Sequence, residues 1–328
     1  MARRVIPKIS VIVPVYKTEA YIERCARSLF EQTMSELEFI FVNDCTPDNS
    51  ILILEKIISE YPDRISDIHC ISHSQNLGIS SVRNSGLAVA VGEYIYYCDS
   101  DDWVEVDMMS RMYETAYINQ ADIVWCDYYN SYPEVDKLVK QENSENSLKC
   151  IKSLLLEKMH GAVWNKLVKR VLYIEHNIKF PDGLNLCEDL RITIQLFFYA
   201  SRCVYLPQAY YHYVQYNTNS LCTTFSEKKL GEIIENINGI ISFLERNKVT
   251  EVTREINYIK LAAKQTLLFQ MEKHYFSHWR ELFPESNRYI MSYAALPLHL
   301  RLLGCCVWLR LWPLIDLWVF LKKKYKRR

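Results

Sequence analysis

Two apolar segments that each run directly into acidic residues constrain the fold of this chain more than any other feature. The first covers residues 37–44 and ends in Asp44, and the second covers 94–102 and ends in a cluster of three aspartates. Apolar runs of this length are typical of strands buried on both faces, as in parallel sheets covered by helices. Such sheets bind ligands at the carboxyl ends of their strands. The sequence therefore predicts a ligand site at the sheet edge that carries these acids.

Strand-like and helical patterns alternate along the first hundred residues. The predicted strands cover four segments: 8–15, 38–42, 65–72 and 94–98. Apolar residues at helical spacing lie between them, as at Ile22, Cys25 and Leu29. This alternation predicts an α/β fold built from parallel βαβ units with right-handed crossovers.

The rest of the chain carries a second set of patterns. We expect helices at 151–159, 165–175 and 188–200, strands at 123–128 and 203–206, and a polar surface excursion at 133–147. After residue 225 only helical spacing is present. The predicted organisation is one α/β domain at 1–225, a helical region at 226–295 and an aromatic, basic tail at 296–328.

Composition narrows the class of protein. With 49% hydrophobic and 24% charged residues, the chain can bury a core and is not expected to be disordered. A formal net charge of zero argues against nucleic acid as a partner. The cysteines form no CxxC pair, and Cys70, Cys98 and Cys126 lie in apolar runs. We therefore expect reduced, buried thiols in a cytoplasmic protein, and the N-terminus lacks the apolar region of a signal peptide.

The aspartate cluster predicts a cation site. Asp99 and Asp101 are alternate residues, which project to the same side of an extended chain. Two carboxylates suit Mg²⁺ or Mn²⁺, which completes its shell with phosphate oxygens and water. The alternative is a solvated acidic turn in which Asp102 starts the next helix. Asp44 is interpreted either as an acceptor for a base or ribose or as the start of a turn.

A segment rich in glycine and asparagine lies between the two acidic strand ends. It contains Asn76, Gly78, Arg83, Asn84 and Gly86. Glycine allows a close approach of the backbone, and a helix that begins near Gly78 would face phosphate. Arg83 is expected to bridge to an acid or to the ligand. For Asn84 and Gly86 we favour tight packing within a helix.

Together these segments resemble glycosyltransferase family 2, whose members have the GT-A fold. The resemblance extends over residues 8–220 and rests on motifs at 10–19, 28–33, 42–44, 76–86, 92–95 and 99–102. Their order and spacing are specific, although each motif is weak alone. The resemblance implies a mostly parallel sheet flanked by helices, followed by a helical C-terminal region. It also implies inverting transfer of a sugar from a nucleotide donor, usually a UDP-sugar, in surface polysaccharide synthesis.

The resemblance also implies which residues bind the donor. These are Pro14, Val15, Tyr16, Glu19, Asp44, Asn76, Gly78, Arg83, Asp99 and Ser100. Asp44 would contact the base, Asp99 the ribose or the metal, and Asp101 the metal, which is Mn²⁺ or Mg²⁺.

Family members carry a Glu-Asp pair whose aspartate is the general base, and Glu188-Asp189 matches it. One carboxylate suffices for an inverting transfer, so Asp189 is the predicted base and Glu188 would orient it or the acceptor. Taken alone, the pair also suits the first turn of a helix, where the dipole favours acids. Trp164 and Lys166 resemble the segment that shapes the acceptor side.

Two positions depart from the family pattern. The common glycine after the base-binding acid is Cys45, so that turn lacks the left-handed freedom of glycine. The basic residue that often follows a late tyrosine run is absent from 210–216, where His212 is either a replacement or a hydrogen-bonded structural residue.

The tail at 296–328 is apolar and aromatic up to Leu321 and ends in a cluster of lysines and arginines. Arg301, Arg310 and Pro313 interrupt it, whereas a spanning helix needs about 20 apolar residues. An interfacial helix on an anionic membrane is therefore favoured over a helix packed on the protein or an oligomer contact. That location suits a lipid-linked acceptor at the inner face of the cell membrane.

Two other classes compete with the enzyme interpretation. One is a noncatalytic, membrane-associated protein that binds sugar nucleotides, which the presence of Asp101 and Asp189 disfavours. The other is a nucleotidyltransferase, which usually carries a glycine-rich basic loop after its first strand; here that position reads Tyr16-Lys17-Thr18-Glu19.

Overall fold

The computed structural model describes residues 6–144, 146–217 and 225–325, with side chains up to residue 320. The chain divides into two compact units, Met1–Thr224 and Phe225–Arg328. The first unit is built on a sheet, and the described part of the second is helical.

The described strands of the first unit form one nine-stranded sheet. In chain order they are β1 Ile9–Val15, β2 Leu37–Asn43, β3 Ile68–Ser72, β4 Tyr94–Tyr97, β5 Trp103–Val104, β6 Ile123–Ser131, β7 Asp136–Val139, β8 Lys166–Lys169 and β9 Cys203–Val214. Their order in the sheet is β3-β2-β1-β4-β8-β6-β9-β5, and β7 pairs with β6. The first four strands are parallel, as expected, while β8 is antiparallel to both β4 and β6.

Helices cover this sheet and make up the second unit. In the first unit they are α1 Ile22–Phe30, α2 Ser50–Ser59, α3 Ile79–Val89, α4 Met108–Asn119, α5 Ser147–Leu155, α6 Arg170–Glu175 and α7 Glu188–Tyr199. In the second they are α8 Glu227–Arg246, α9 Thr253–Phe269, α10 Lys273–Glu281, α11 Leu298–Trp308 and α12 Trp312–Tyr325. Short 3₁₀ segments lie at Pro62–Asp67 and Pro284–Ser292.

The core of the first unit follows from its apolar pattern. Every residue of β1 is buried, and α1 buries the stripe that its spacing predicts, including Ile22, Cys25 and Leu29. Helix α3 lies directly on β1, since a Cβ added to Gly86 would be 2.4 Å from a methyl carbon of Ile12. The expectation of tight helix packing at Gly86 is therefore confirmed.

Several expectations from the sequence are wrong. The predicted helix at 165–175 begins with four residues of strand β8, because this segment pairs with strands on both sides. The polar excursion at 133–147 contains β7, which forms a hairpin with β6. Strand β9 continues to Val214. Cys70 is exposed because β3 is an edge strand, although Cys98 and Cys126 are buried and the described cysteines are free thiols.

The C-terminal helices bury one face and expose another. Helix α11 buries Leu300, Leu303 and Val307, and α12 buries Ile315. Large apolar side chains that remain exposed are Leu298, Leu302, Trp308, Leu309, Leu311, Leu314, Leu317 and Phe320. Within the part of the chain described, every helix is too short or too polar to cross a membrane.

Candidate active site

The acidic turn after β4 is held in place by the end of β9. Asp102 is buried and accepts hydrogen bonds from the Tyr211 hydroxyl at 2.6 Å and the Val214 N–H at 2.7 Å. Asp101 accepts one from the Asn217 amide at 2.7 Å. The Tyr211 hydroxyl also accepts the N–H of Asp99 at 3.2 Å. Asp102 is therefore a structural anchor, and Asp99 and Asp101 each accept one side-chain hydrogen bond, from Arg83 and from Asn217 respectively.

The donor set of Asp99 and Asp101 fits a hard divalent cation. Burial, together with the charge of Asp99, raises the pKa of Asp101, and a nearby cation would offset that cost. Among the described residues, no group of three or more His, Cys, Asp or Glu is arranged to hold a metal. Two carboxylates suit an ion that also takes oxygens from a diphosphate. Ser100, predicted to bind the donor, is buried and donates to the Thr18 hydroxyl at 3.1 Å.

The loop after β1 is fastened to the loop after β2. The N–H of Glu19 donates to Asp48 at 3.1 Å, and the Glu19 carboxylate accepts the N–H of Asn49 at 3.0 Å. Tyr16 is exposed and lies in the same loop as Glu19. These two predicted donor residues, Tyr16 and Glu19, thus lie on an open edge.

Pro14 and Val15, predicted to bind the donor, are interior residues of β1. Both are buried within the sheet, so their side chains do not line an open pocket. They lie on β1, which is covered on both faces, and the Val15 carbonyl accepts the N–H of Asp44 at 3.1 Å. Their contribution to the edge is structural.

Asp44 holds the loop that leads into α3. Its two carboxylate oxygens accept the N–H groups of Leu77 and Gly78, each at 2.8 Å, and one of them also lies 2.8 Å from the His73 ring. The side chain is almost fully buried. The Asn76 amide, at 3.4 Å, donates to the Asp44 carbonyl. Asp44 and Asn76 thereby fix the start of α3. The sequence does not predict this role, because it gives no sign that His73 contacts Asp44.

Gly78 occupies the tightest point of this loop. Its φ is 87°, and a Cβ at this position would lie 2.3 Å from the Asn185 side-chain oxygen. The backbone conformation therefore favours glycine, and a larger residue would also displace the Asn185 side chain. The neighbouring loop after β2 contains Cys45 at φ 55°, so cysteine adopts the left-handed conformation expected of the family's glycine.

Helix α3 holds the segment that leads into α7. Asn84 exchanges two hydrogen bonds with the backbone of Phe180, each 2.9 Å long, which confirms its structural role. Ser80 donates to the carbonyl of Leu184. The acidic pair of α7 is thus carried on a segment that α3 orients.

Arg83 joins the acidic turn to the acidic pair. One Nη donates to Asp99 at 3.1 Å, and the other donates to Glu188 at 2.8 Å and to Asp189. Burial raises the pKa of Glu188 to about 8, with the charge of Asp189 adding to the effect. Burial also raises the pKa of Asp189, although Arg83 opposes this. The predicted base and the predicted donor acid thus share one guanidinium.

Trp164 and Lys166, predicted to shape the acceptor side, are both buried. The Trp164 ring stacks on Tyr211 with centroids 4.4 Å apart. The Lys166 ammonium donates to the carbonyls of His160 and Ala162 and to Asn165, at 2.6–2.7 Å. Burial lowers the pKa of Lys166 to about 7, while its three donors match three acceptors. Both side chains therefore have structural contacts in the protein interior, and those of Lys166 hold the segment before β8.

His212 is a structural residue. Its ring stacks on Trp103 with centroids 3.4 Å apart and lies 2.9 Å from the Glu105 carboxylate. Tyr211 and Asn217, which hold the acidic turn, carried no signal in the sequence beyond the tyrosine run itself. Their roles depend on contacts across more than a hundred residues of chain.

Comparison with known proteins identifies the family of this chain. Residues 10–176 match the model of glycosyl transferase family 2. The putative glycosyltransferase EpsH of Bacillus subtilis is 32% identical over 76% of this chain and 73% of that protein. The chain therefore belongs to glycosyltransferase family 2 and is an enzyme of that class, rather than a nucleotidyltransferase or a noncatalytic binding protein.

Solved structures share the fold. The structure of S. aureus TarS 1–349 in complex with UDP-GlcNAc is 21% identical, has a TM-score of 0.71, and the match covers 98% of this chain and 92% of that one. The mannosyltransferase PcManGT from Pyrobaculum calidifontis, in complex with GDP-Man and Mn²⁺, is 16% identical with a TM-score of 0.52, over 97% and 84%. These likenesses confirm the GT-A fold.

Proposed function

We propose that this enzyme is an inverting glycosyltransferase that moves a sugar from a UDP-sugar to a hydroxyl group of a glycan or lipid-linked glycan in surface polysaccharide synthesis. The observation that carries the proposal is the ion cluster in which Arg83 contacts both Asp99 and Asp189. It brings the acidic end of β4 and the first turn of α7 within the span of one side chain.

In this mechanism Asp189 acts as the general base. The acceptor hydroxyl gives its proton to the Asp189 carboxylate while its oxygen forms a bond to the anomeric carbon of the donor. The bond from that carbon to the diphosphate breaks, and its electron pair leaves on the nucleoside diphosphate. Attack from the face opposite the leaving group inverts the configuration. The Asp189 side chain is 19% exposed, which supports access of the acceptor.

Asp99 and Asp101 would hold Mn²⁺ or Mg²⁺ beside the diphosphate. When bound, such an ion offsets the negative charge that the leaving group gains. The PcManGT structure contains Mn²⁺, which supports a metal in this fold. The TarS structure contains UDP-GlcNAc, which supports a uridine donor. The PcManGT structure contains GDP-Man, so the experiment below compares nucleotide sugars with different nucleobases.

A panel of nucleotide sugars tests the proposal. We expect release of nucleoside diphosphate from a UDP-sugar that requires Mn²⁺ or Mg²⁺ and stops with EDTA. Asp189→Asn and Asp101→Asn should each lower the rate by about 100-fold or more, because a general base or a metal ligand is lost. Asp107→Asn, at an exposed acid outside the site, is the matched control. Parental transfer by Asp189→Asn would refute the base, and metal-independent turnover would refute the cation.

We further propose that the enzyme works at the cytoplasmic face of the cell membrane. The exposed apolar side chains of α11 and α12, among them Leu314, Leu317 and Phe320, support this location. The sequence that follows contains six lysines and arginines within 322–328, which suits anionic lipids. A lipid-linked acceptor would be presented at that surface.

A further inference from the structure

Arg83 lies between two parts of the site that come from distant segments of the chain. Asp99 follows β4, whereas Glu188 and Asp189 begin α7, and all three carboxylates accept from the same guanidinium. The Arg83 side chain is 3% exposed. Its contacts therefore form inside the protein, where charged hydrogen bonds are stronger than in water.

These contacts differ from those of a residue that binds the donor. Three of the five N–H donors of Arg83 are directed at carboxylates. Its Nε has no hydrogen-bond partner among the described residues but is fully buried, so it is not presented to a phosphate or a base. The rings of Tyr97 and Phe180 lie 5.9 and 5.3 Å from the guanidinium carbon and enclose it further. The planar fork of arginine directs its donors rigidly at carboxylates, whereas the ammonium of lysine is a compact charge with rotatable donors and fixes their orientation less firmly.

We propose that Arg83 is a positioning residue that sets the carboxylate of Asp189 for proton removal and acts on the reaction through Asp189, without binding the donor. This inference rests on the proposed role of Asp189 as the base. If one partner of a buried ion pair is removed, the remaining charge moves towards water or another partner. Loss of the fork therefore displaces the base. Asp99 also loses a partner, but its backbone N–H is still held by the Tyr211 hydroxyl, and the donor edge at Tyr16 and Glu19 is intact.

Steady-state kinetics of Arg83→Lys test this role, with Arg83→Gln as a second variant if melting shows that lysine is not accommodated. We expect kcat to fall by about 100-fold, within the range that a general base contributes. The KM for the donor should stay within about threefold, because no interaction with the donor is removed. Calorimetry of UDP with Mn²⁺ should give a Kd within about threefold of the parent, as a measurement independent of turnover.

Arg64→Lys is the matched control. Arg64 is also largely buried and donates to the carbonyls of Phe30, Gln32 and Met34, away from the site. This variant should lose thermal stability but keep the parental kcat. An unchanged kcat in Arg83→Lys, or a loss of UDP binding, would overturn the proposal.

A double-mutant cycle separates action through Asp189 from any independent effect. If Arg83 acts through the base, Arg83→Lys/Asp189→Asn should turn over within about threefold of Asp189→Asn alone. If Arg83 supports only folding or binds the donor, the two losses multiply, and the proposal fails. Parental activity of Asp189→Asn would instead refute the proposed base itself, so the two failures are distinguishable.

Discussion

Cys45 shows how a single residue can keep a backbone conformation that suits glycine. The resemblance to the family identifies the turn after Asp44, but only the structure shows that Cys45 has φ 55°. For a residue with a Cβ, the left-handed region costs roughly 1–2 kcal/mol. The turn therefore retains its shape at the expense of stability.

Replacing Cys45 with glycine should stabilise the protein. We expect the free energy of unfolding to rise by about 0.5–1 kcal/mol, because the strain relieved exceeds the extra freedom of glycine in the unfolded chain. Scanning calorimetry should show a Tm increase of about 1–4 °C. Cys45→Ala keeps the Cβ and should leave Tm unchanged. An equal shift in both variants would mean that strain is not the cause.

Glu188 should make stability depend on pH. Burial raises the pKa of Glu188 from 4.5 to about 8 in the folded protein. The folded state therefore holds a proton that the unfolded state has released between these values, and the free energy of unfolding falls as pH rises from about 4.5 to about 8.

Urea unfolding at pH 5 and pH 8 measures this effect. Glu188→Gln does not titrate, so its stability should fall less over the interval than that of the parent. Glu114→Gln, at a largely exposed acid, should follow the parent. Parallel curves for the parent and Glu188→Gln would show that Glu188 ionises normally.

At the scale of elements, α3 is the helix that assembles the site. The sequence predicts both α3 and the acidic pair of α7, yet it does not reveal that Ser80 reaches the backbone of Leu184, 104 residues away. Periodicity reports which face of a helix is buried, but not which distant segment covers it. The same limit explains why the sequence predicts for Arg83 either an acid or the ligand as its partner, whereas the structure shows contacts with three acids.

Three glycines in different environments separate backbone strain from steric clash. Gly78→Ala should be strongly destabilising, because it combines positive φ with a clash against Asn185. Gly183→Ala also has positive φ but no atom within 4 Å, so it should cost only about 1–2 kcal/mol. Gly231→Ala, on open α8, should stabilise by about 0.5–1 kcal/mol. Calorimetric Tm values in any other order would contradict this account.

Lys166 offers a test of the corrected strand β8. Lys166→Met leaves three buried acceptors without a donor, so we expect a loss of about 2–4 kcal/mol and a Tm decrease of roughly 5–15 °C. Lys169→Met, on the same strand but partly exposed in an ion pair with Asp122, should cost less than about 0.5 kcal/mol. Direct contact between Lys166 and the acceptor would instead raise the acceptor KM without loss of stability.

For the whole molecule, the sequence predicts the fold better than the site. The parallel strands β1 to β4 were located because buried strands are continuous apolar runs, and the GT-A class is confirmed. The sequence does not predict strand β8 because a four-residue segment with only two apolar residues has no periodicity that separates a strand from a helix. Asp99 and Asp189 both contact Arg83, which the separate motifs do not predict. Trp164 and Lys166 are interior, since a motif identifies a segment and not its exposure.

Membrane binding is measured on the full-length chain. The variant Leu314→Gln/Leu317→Gln/Phe320→Gln removes exposed apolar side chains while retaining buried Ile315. Its sedimentation with phosphatidylglycerol vesicles should fall by about tenfold or more, because apolar burial at the interface is lost. Vesicles of phosphatidylcholine should bind the parent more weakly, since they lack negative charge.

Exposed apolar residues elsewhere provide the control. Leu52, Tyr117 and Ile118 are more than 60% exposed in the first unit, and their replacement by Gln should leave vesicle binding unchanged. A parent protein that stays in solution, and elutes as a dimer from which the α12 variant dissociates, would assign the face to an oligomer contact instead.

Because β8 pairs antiparallel with β4, we expect the site to tolerate insertions in the connection between these two strands. Tyr96 pairs with Leu167, so the turn that leaves β4 and the segment that enters β8 meet at one edge, although the connection between them is long. The hairpin of β6 and β7 lies within that connection and turns at 132–135. We expect residues inserted at this hairpin tip to lengthen the connection without moving β4 or β8. Tags and fused domains can therefore be placed there.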